Sequence, residues 1–259
     1  FCTTTKQQEA ESIAISNSIG NACFDSHETM TDINKSRNAL HEGQLLIVSI
    51  VGQGNDENLI VRDFVTTAQM VYDAGAQIIE LNLSCPNITH GLLYKNPMLT
   101  QSIIKAVLKS IPIPIIIKVG IFDHAEQLRT FCSTSARAGA RGLCGINTVP
   151  AKIINTNGTP FFGPNRITSG ISGAPIYSLA KQFIHDVHTI IKNEQLDLTL
   201  LATGGITKAD QFQEFLDLGA SIAMSGTGTM WNPFILEKLS TIRDSKSWAQ
   251  QNNVTAPIR

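Results

Sequence analysis

Ala74-Gly75-Ala76, running on into QIIELNLSCPN (residues 77–87), is the stretch that decides the fold. Its centre, AQIIELNL (76–83), is apolar nearly throughout rather than alternating, as expected of a strand buried on both faces. The glycine ahead of it stands where a helix ends, a place suited to the left-handed C′ conformation. The same joint recurs as Ala138-Gly139-Ala140 and Leu218-Gly219-Ala220. A helix closed by glycine and followed by an apolar strand, repeated along a chain, is the pattern of βα units around a parallel sheet.

Working outward from that stretch, similar runs stand at LLIVSIV, IPIIIKV, LTLLA and SIAMS. Strands are expected at 1–5, 45–52, 76–83, 113–119, 142–147, 197–202 and 220–225. Helical spacing of apolar residues places helices at Asn58 to Ala74, Met98 to Lys109, His124 to Ala138, Pro175 to Asn193, Lys208 to Leu218 and Asn232 to Asp244. Seven strands are one short of a closed (β/α)₈ barrel, a fold of about 250 residues. The expectation is therefore a single α/β domain over 1–259, a TIM barrel whose first βα unit, about 30 residues, lies upstream of Phe1. The start at Phe1 rather than Met agrees with a sequence that begins inside a longer protein. Pro150 to Gly173 has no clear periodicity and is expected to be a long functional loop.

Composition narrows the function classes. The 20 Lys+Arg nearly cancel the 21 Asp+Glu, leaving net charge −1, so there is no electrostatic footprint for nucleic acid or an anionic membrane. Apolar runs of about seven or eight residues are far short of the roughly 20 that span a bilayer. The five cysteines (Cys2, Cys23, Cys85, Cys132, Cys144) include no CxxC and no zinc spacing, which fits a reducing, cytoplasmic setting and no metal.

Active sites of (β/α)₈ barrels lie at the C-terminal ends of the strands. There the chain carries Asn82 to Asn87, Lys118, Asn147-Thr148, Thr203-Gly204-Gly205 and Ser225-Gly226-Thr227. Two readings stand for Asn82, Asn87 and Asn147: amide partners of a planar polar ring, or caps of local turns. Lys118, after three isoleucines, answers either a ligand or a buried ion pair. The glycines at 204, 205 and 226 open helices after the last two strands, where this fold binds phosphate. Ser169-Gly170-Ile171-Ser172-Gly173 adds either further contacts or a hinge. Cys85, just past a strand end, is a candidate general base or an inert small hydrophobe; Cys132 and Cys144 are read as the latter. His185 and His188, without a metal motif around them, are expected to be solvated or packed, and His90 receives no role.

These residues resemble the dihydroorotate dehydrogenase family. Glu80-Leu81-Asn82-Leu83-Ser84-Cys85-Pro86-Asn87 is the most specific stretch. With it stand Ile117-Lys118, Gly145-Ile146-Asn147-Thr148, Ser169 to Gly173, Ala202-Thr203-Gly204-Gly205-Ile206 and Ser225-Gly226-Thr227. Asn17-Ser18-Ile19-Gly20 looks like the family's substrate loop. The resemblance implies FMN, with its phosphate held by Gly170, Gly173, Gly204, Gly205, Gly226 and Thr227, and Lys118 beside the ring. Orotate or dihydroorotate would be bound by Asn17, Asn82, Asn87, Asn147 and Thr148, and Cys85 would remove the C5 proton. A cysteine base resembles the soluble class 1 enzymes, which pass electrons to fumarate or, through an iron–sulfur flavoprotein partner, to NAD. A homodimer is the other assembly implied. The chain departs from the family at Thr4, where a lysine is usual, and at Asn21-Ala22-Cys23 in the substrate loop. Another dihydropyrimidine as substrate, or a non-catalytic paralogue, are the alternatives.

Overall fold

The computed structural model describes residues 13–17, 25–85 and 91–235. In chain order the elements are β1 (Ala14–Asn17), α1 (Ser26–Asn38), β2 (Ile47–Ile50), α2 (Glu57–Asp73), β3 (Ile78–Asn82), α3 (Pro97–Ser110), β4 (Ile115–Val119), α4 (Ala125–Ala138) and β5 (Gly142–Gly145). Then follow β6 (Val149–Lys152), β7 (Thr168–Gly173), α5 (Tyr177–Glu194), β8 (Thr199–Thr203), α6 (Asp210–Asp217), β9 (Ile222–Met224) and α7 (Thr227–Trp231). Six strands form one curled parallel sheet in the order β2-β3-β4-β5-β8-β9, and helices α2 to α6 cross between them. This is the barrel architecture expected, and all six strand positions from 45 onward are found. The expected strand at 1–5 and the chain from 236 lie outside the described residues. Of the helix expected at Asn232 to Asp244, the described part, 232–235, is not helical; the helix there is α7, which ends at Trp231.

The joints behave as their sequences dictate. Gly75, Gly139 and Gly219 have φ of 106°, 103° and 102°, a region only glycine enters readily. In each, the next residue's N–H reaches back five positions: Ala76 to Val71 O (3.0 Å), Ala140 to Ser135 O (3.1 Å) and Ala220 to Phe215 O (3.1 Å). At the other ends, Asp56 accepts from Leu59 N (2.9 Å) to start α2, and Asn96 accepts from Leu99 N (3.1 Å) with Pro97 next to start α3.

Pro150 to Gly173, expected as a long functional loop, carries strands of its own. It holds β6 and β7, which with β1 make a second, antiparallel sheet in the order β1-β7-β6. Asn17 stands opposite Gly170, and Pro150 opposite the same glycine from the other side. The first helix, α1, was also not expected: SHETMTDINKSRN buries only Ile33 and offers no apolar stripe.

The two faces of the parallel sheet differ. Towards the helices, Ile79, Leu81, Ile115, Ile117, Leu143 and Ala202 are fully buried against residues such as Phe64, Ile103, Phe131 and Ile184. The opposite face carries a small apolar cluster of Ile116, Cys144 and Leu201, with Ile47, Ile78 and Met224 around it. Above that cluster, towards the strand ends, the same face turns polar: Ser49, Glu80, Asn82 and Lys118 share its parity.

Candidate active site

A cavity of about 590 Å³ opens where the C-terminal ends of the parallel strands meet the antiparallel sheet. Asn82, Ser84 and Cys85 enter from the end of β3, Gly120 and Ile121 from β4, and Asn147 and Thr148 from β5. Asn17 on β1 and Thr168 to Gly170 on β7 wall it from the antiparallel side, with Val149 and Pro150 of β6. Tyr94, Lys95 and Asp123 form its flank. Of the expected substrate residues, Asn17, Asn82, Asn147 and Thr148 are thus brought together, and Cys85 with them. Asn87 lies outside the described residues, as do His90, Ser18 to Asn21 and Thr4.

A short network fixes the amides. Asn147 Nδ2 donates to Ser84 Oγ (2.6 Å), Ser84 Oγ donates to Asn82 Oδ1 (3.0 Å), and Thr148 N donates to Asn147 Oδ1 (2.8 Å). The turn-capping reading therefore holds for the acceptor oxygens. Each side chain is locked in place by it while still facing the cavity, which is the preorganisation a binding site needs. Asn147 Nδ2 also donates to Asn82 Oδ1 directly at 3.4 Å, and Ser84, 5% exposed, links the two asparagines. Sequence reasoning gave it no role beyond flanking Cys85.

Cys85 is 3% exposed and lies in the cavity wall one residue beyond Ser84. Cys132 and Cys144, fully buried, behave as the small hydrophobes expected; burial pushes the Cys132 thiol up to about 12 and raises Cys144 as well. At the flank, the Tyr94 hydroxyl donates to Ile121 O (2.7 Å), and burial pushes its phenol up to about 12. Lys95 Nζ pairs with Asp123 at 2.6 Å and holds that carboxyl below its ordinary range. These flanking groups had no signal in the sequence beyond lying downstream of Cys85.

Lys118 stands in register with Asn82 on one side and Cys144 on the other, on the inner face just beneath the cavity. Both of its readings touch the structure: its Nζ is 3.9 Å from Glu80 Oε1, an ion pair too long to be a hydrogen bond, and its side chain remains 21% exposed.

The expected phosphate residues divide. Gly170 belongs to the cavity, where the Thr148 hydroxyl occupies the place a Cβ would take. Gly173, Gly204, Gly205, Gly226 and Thr227 lie in three loops tied to one another. Thr227 Oγ1 donates to Ser172 Oγ (2.8 Å), Gly173 abuts the Thr227 methyl, and Ser225 Oγ donates to Ile206 O (2.8 Å). At Gly205 (φ 83°) a Cβ would meet the Tyr177 backbone at 2.5 Å, so close chain packing demands glycine there. At Gly226 a Cβ would meet only open space, which leaves room for a ligand at the start of α7. His188 packs against Gly219 and His185 is exposed, as expected. Among the described residues no cluster could hold a metal ion, and no helix is long and apolar enough to cross a membrane.

Comparison with known proteins agrees with this geometry. The family model described as dihydroorotate dehydrogenase matches residues 6–242. The chain is 38% identical over 242 residues to the dihydroorotate dehydrogenase of Dictyostelium discoideum, covering 91% of this chain and 65% of that protein. It is 30% identical over 199 residues to dihydroorotate dehydrogenase A (fumarate) of Limosilactobacillus reuteri, covering 75% of this chain and 60% of that protein. It is 27% identical over 197 residues to the catalytic subunit of dihydroorotate dehydrogenase B (NAD(+)) of Bacillus pumilus, covering 75% and 59%. The chain therefore spans about three fifths to two thirds of the length of these relatives. In fold it is similar to the Eimeria tenella DHODH crystallised with ferulenol, at a TM-score of 0.71 and 19% identity over 89% of this chain and 68% of that one.

Proposed function

Because the chain belongs to the dihydroorotate dehydrogenase family, we propose that the whole protein oxidises dihydroorotate to orotate in pyrimidine biosynthesis, with FMN as its cofactor. The observation that carries this reading is the single cavity in which Asn17, Asn82, Cys85, Asn147 and Thr148 meet. A flat ring edged with carbonyl and N–H groups needs partners that both donate and accept, and amide side chains do both. Loss of a proton from C5, α to a carbonyl, needs a base held beside the ring, and Cys85 is the titratable group placed among the amides. Its thiolate takes the C5 proton while Asn82 and Asn147, pinned through Ser84, hold the ring in position. Asn87, outside the described residues, is assigned to the substrate on the resemblance alone.

The residues present fit FMN. The open space at Gly226, the Thr227 and Ser172 hydroxyls and the linked loops of Gly173, Gly204 and Gly205 suit a phosphate. Gly170 would contribute from β7, and Lys118, on the inner face level with Asn82, would stabilise negative charge on the ring. FMN, when bound, supplies the acceptor for the hydride leaving C6. On this reading a cysteine base goes with a class 1 enzyme acting in the cytoplasm, with fumarate as acceptor or NAD reached through an iron–sulfur flavoprotein subunit; a homodimer is the alternative assembly.

The test is anaerobic addition of dihydroorotate to the flavin-loaded full-length protein, followed by its visible spectrum. Bleaching of the flavin is the expected result. A flavin that stays oxidised with dihydroorotate but bleaches with dihydrouracil would move the substrate to another dihydropyrimidine. A full-length protein that takes up no FMN would favour a non-catalytic paralogue.

A further inference from the structure

The inner face of the sheet holds a carboxylate that the proposed reaction does not use. Glu80 is 6% exposed, set between Ile78 and Asn82 on the inward side of β3. A carboxylate in such a place is stable only when its charge and lone pairs are answered. One oxygen, Oε1, meets both answers: it accepts from the Ser49 hydroxyl at 2.7 Å and faces Lys118 Nζ at 3.9 Å. Ser49 lies opposite Glu80 in the β2–β3 register, so the serine pins the carboxylate from one side while the lysine stands on the other.

The distances decide what the pair does. Charge-assisted hydrogen bonds run at about 2.7–2.9 Å, so at 3.9 Å the ammonium is attracted by Glu80 without giving it a donor. Its donors are not taken up by Glu80, and its side chain keeps 21% exposure. The neighbouring Cys144 thiol, whose ionisation burial disfavours, brings no charge of its own. Among the described residues the inner face at this level therefore balances one positive against one negative group. A buried ion pair is weak evidence for stability, so its consequence lies in the field it sets.

We propose that Glu80 is a positioning residue that anchors Lys118 and limits the positive charge it presents to the bound flavin. This rests on the flavin reading of the site. Glu80→Gln keeps the shape and an acceptor for Ser49 but removes the charge; Glu80→Asp keeps the charge and shortens the side chain. The readout is the affinity of the flavin-loaded full-length protein for sulfite, a small probe that adds to oxidised flavin and leaves it anionic, together with the flavin's midpoint potential. An uncompensated charge several ångströms away is worth on the order of tenfold in such equilibria. Glu80→Gln should tighten sulfite binding by about tenfold and raise the potential by about 30 mV, the same tenfold for a two-electron couple. Glu80→Asp should stay near the parent in both. The reverse pattern, with Asp shifting the values and Gln not, would reduce Glu80 to packing and overturn the proposal, as would two unchanged variants. If dihydroorotate bleaches the flavin yet Glu80→Gln binds sulfite as the parent does, this inference alone fails. A full-length protein that takes up no FMN overturns the flavin reading and the inference with it.

Discussion

The helix-facing and inward-facing sides of the same six strands are built to different ends. On the outer side Ile79, Leu81, Ile115, Ile117 and Leu143 are wholly buried and apolar, and the helices close over them. On the inner side the apolar residues stop at Ile116, Cys144 and Leu201, and Ser49, Glu80, Asn82 and Lys118 take over towards the strand ends. Alternation along a strand thus separates stability from chemistry one residue at a time. The outer face can be apolar throughout because the helices cover it. The inner face tolerates buried polar groups where they are partnered, as Glu80 is by Ser49 and Ser84 is by Asn147.

The largest effect should come from the residue beyond the inner rim. Cys85→Ala removes the proposed base and should slow substrate-driven flavin reduction by about 10²–10⁴-fold at neutral pH, as loss of a general base does, with FMN retained and the fold intact. Stopped-flow reduction under anaerobic conditions measures it, and a parent-like rate would take Cys85 out of the chemistry.

A smaller effect tests the cavity's flank. The folded Tyr94 phenol is raised to about 12 by burial, whereas an unfolded tyrosine ionises near 10. Its contribution to stability is complete below pH 10 and is lost as pH rises towards about 12, because the unfolded chain gives up its proton first. Denaturant midpoints of the parent should fall more steeply across that window than those of Tyr94→Phe. Parallel curves would mean that the phenol is not held as the structure has it.

How far the sequence could be read follows the same division. The six parallel strands were legible because runs such as IPIIIKV and AQIIELNL leave no choice of face. The joints at Gly75, Gly139 and Gly219 were legible because helix termination is local chemistry. The antiparallel sheet was not: VPAK and TSGISG carry proline, glycine and no alternation, and AISN, which pairs with TSGISG, lies more than 150 residues from it, as the Ser16–Ser169 hydroxyl pair shows. Asn17 and Gly170 consequently meet through a pairing that no local pattern announces. Cys85, Asn82 and Asn147 were found from their places after strands, the rule for this fold. Glu80 was passed over although a lone carboxylate inside an apolar strand is a signal in itself.

The most direct test sets two adjacent residues of β3 against each other. Leu81→Ala and Asn82→Ala differ by one position and by the face they alter. Unfolding free energy and dihydroorotate-driven flavin reduction are to be measured on both in the full-length protein. Leu81→Ala should lose about 2–5 kcal/mol of stability while each folded molecule reduces its flavin as the parent does. Asn82→Ala should lose about 1 kcal/mol of stability but bind substrate about ten- to a hundredfold more weakly, the loss of a buried hydrogen-bond partner. If Asn82→Ala instead unfolded like Leu81→Ala and kept parent-like substrate binding, the inner face would be no more than a second core, and the assignment of the site to it would be contradicted.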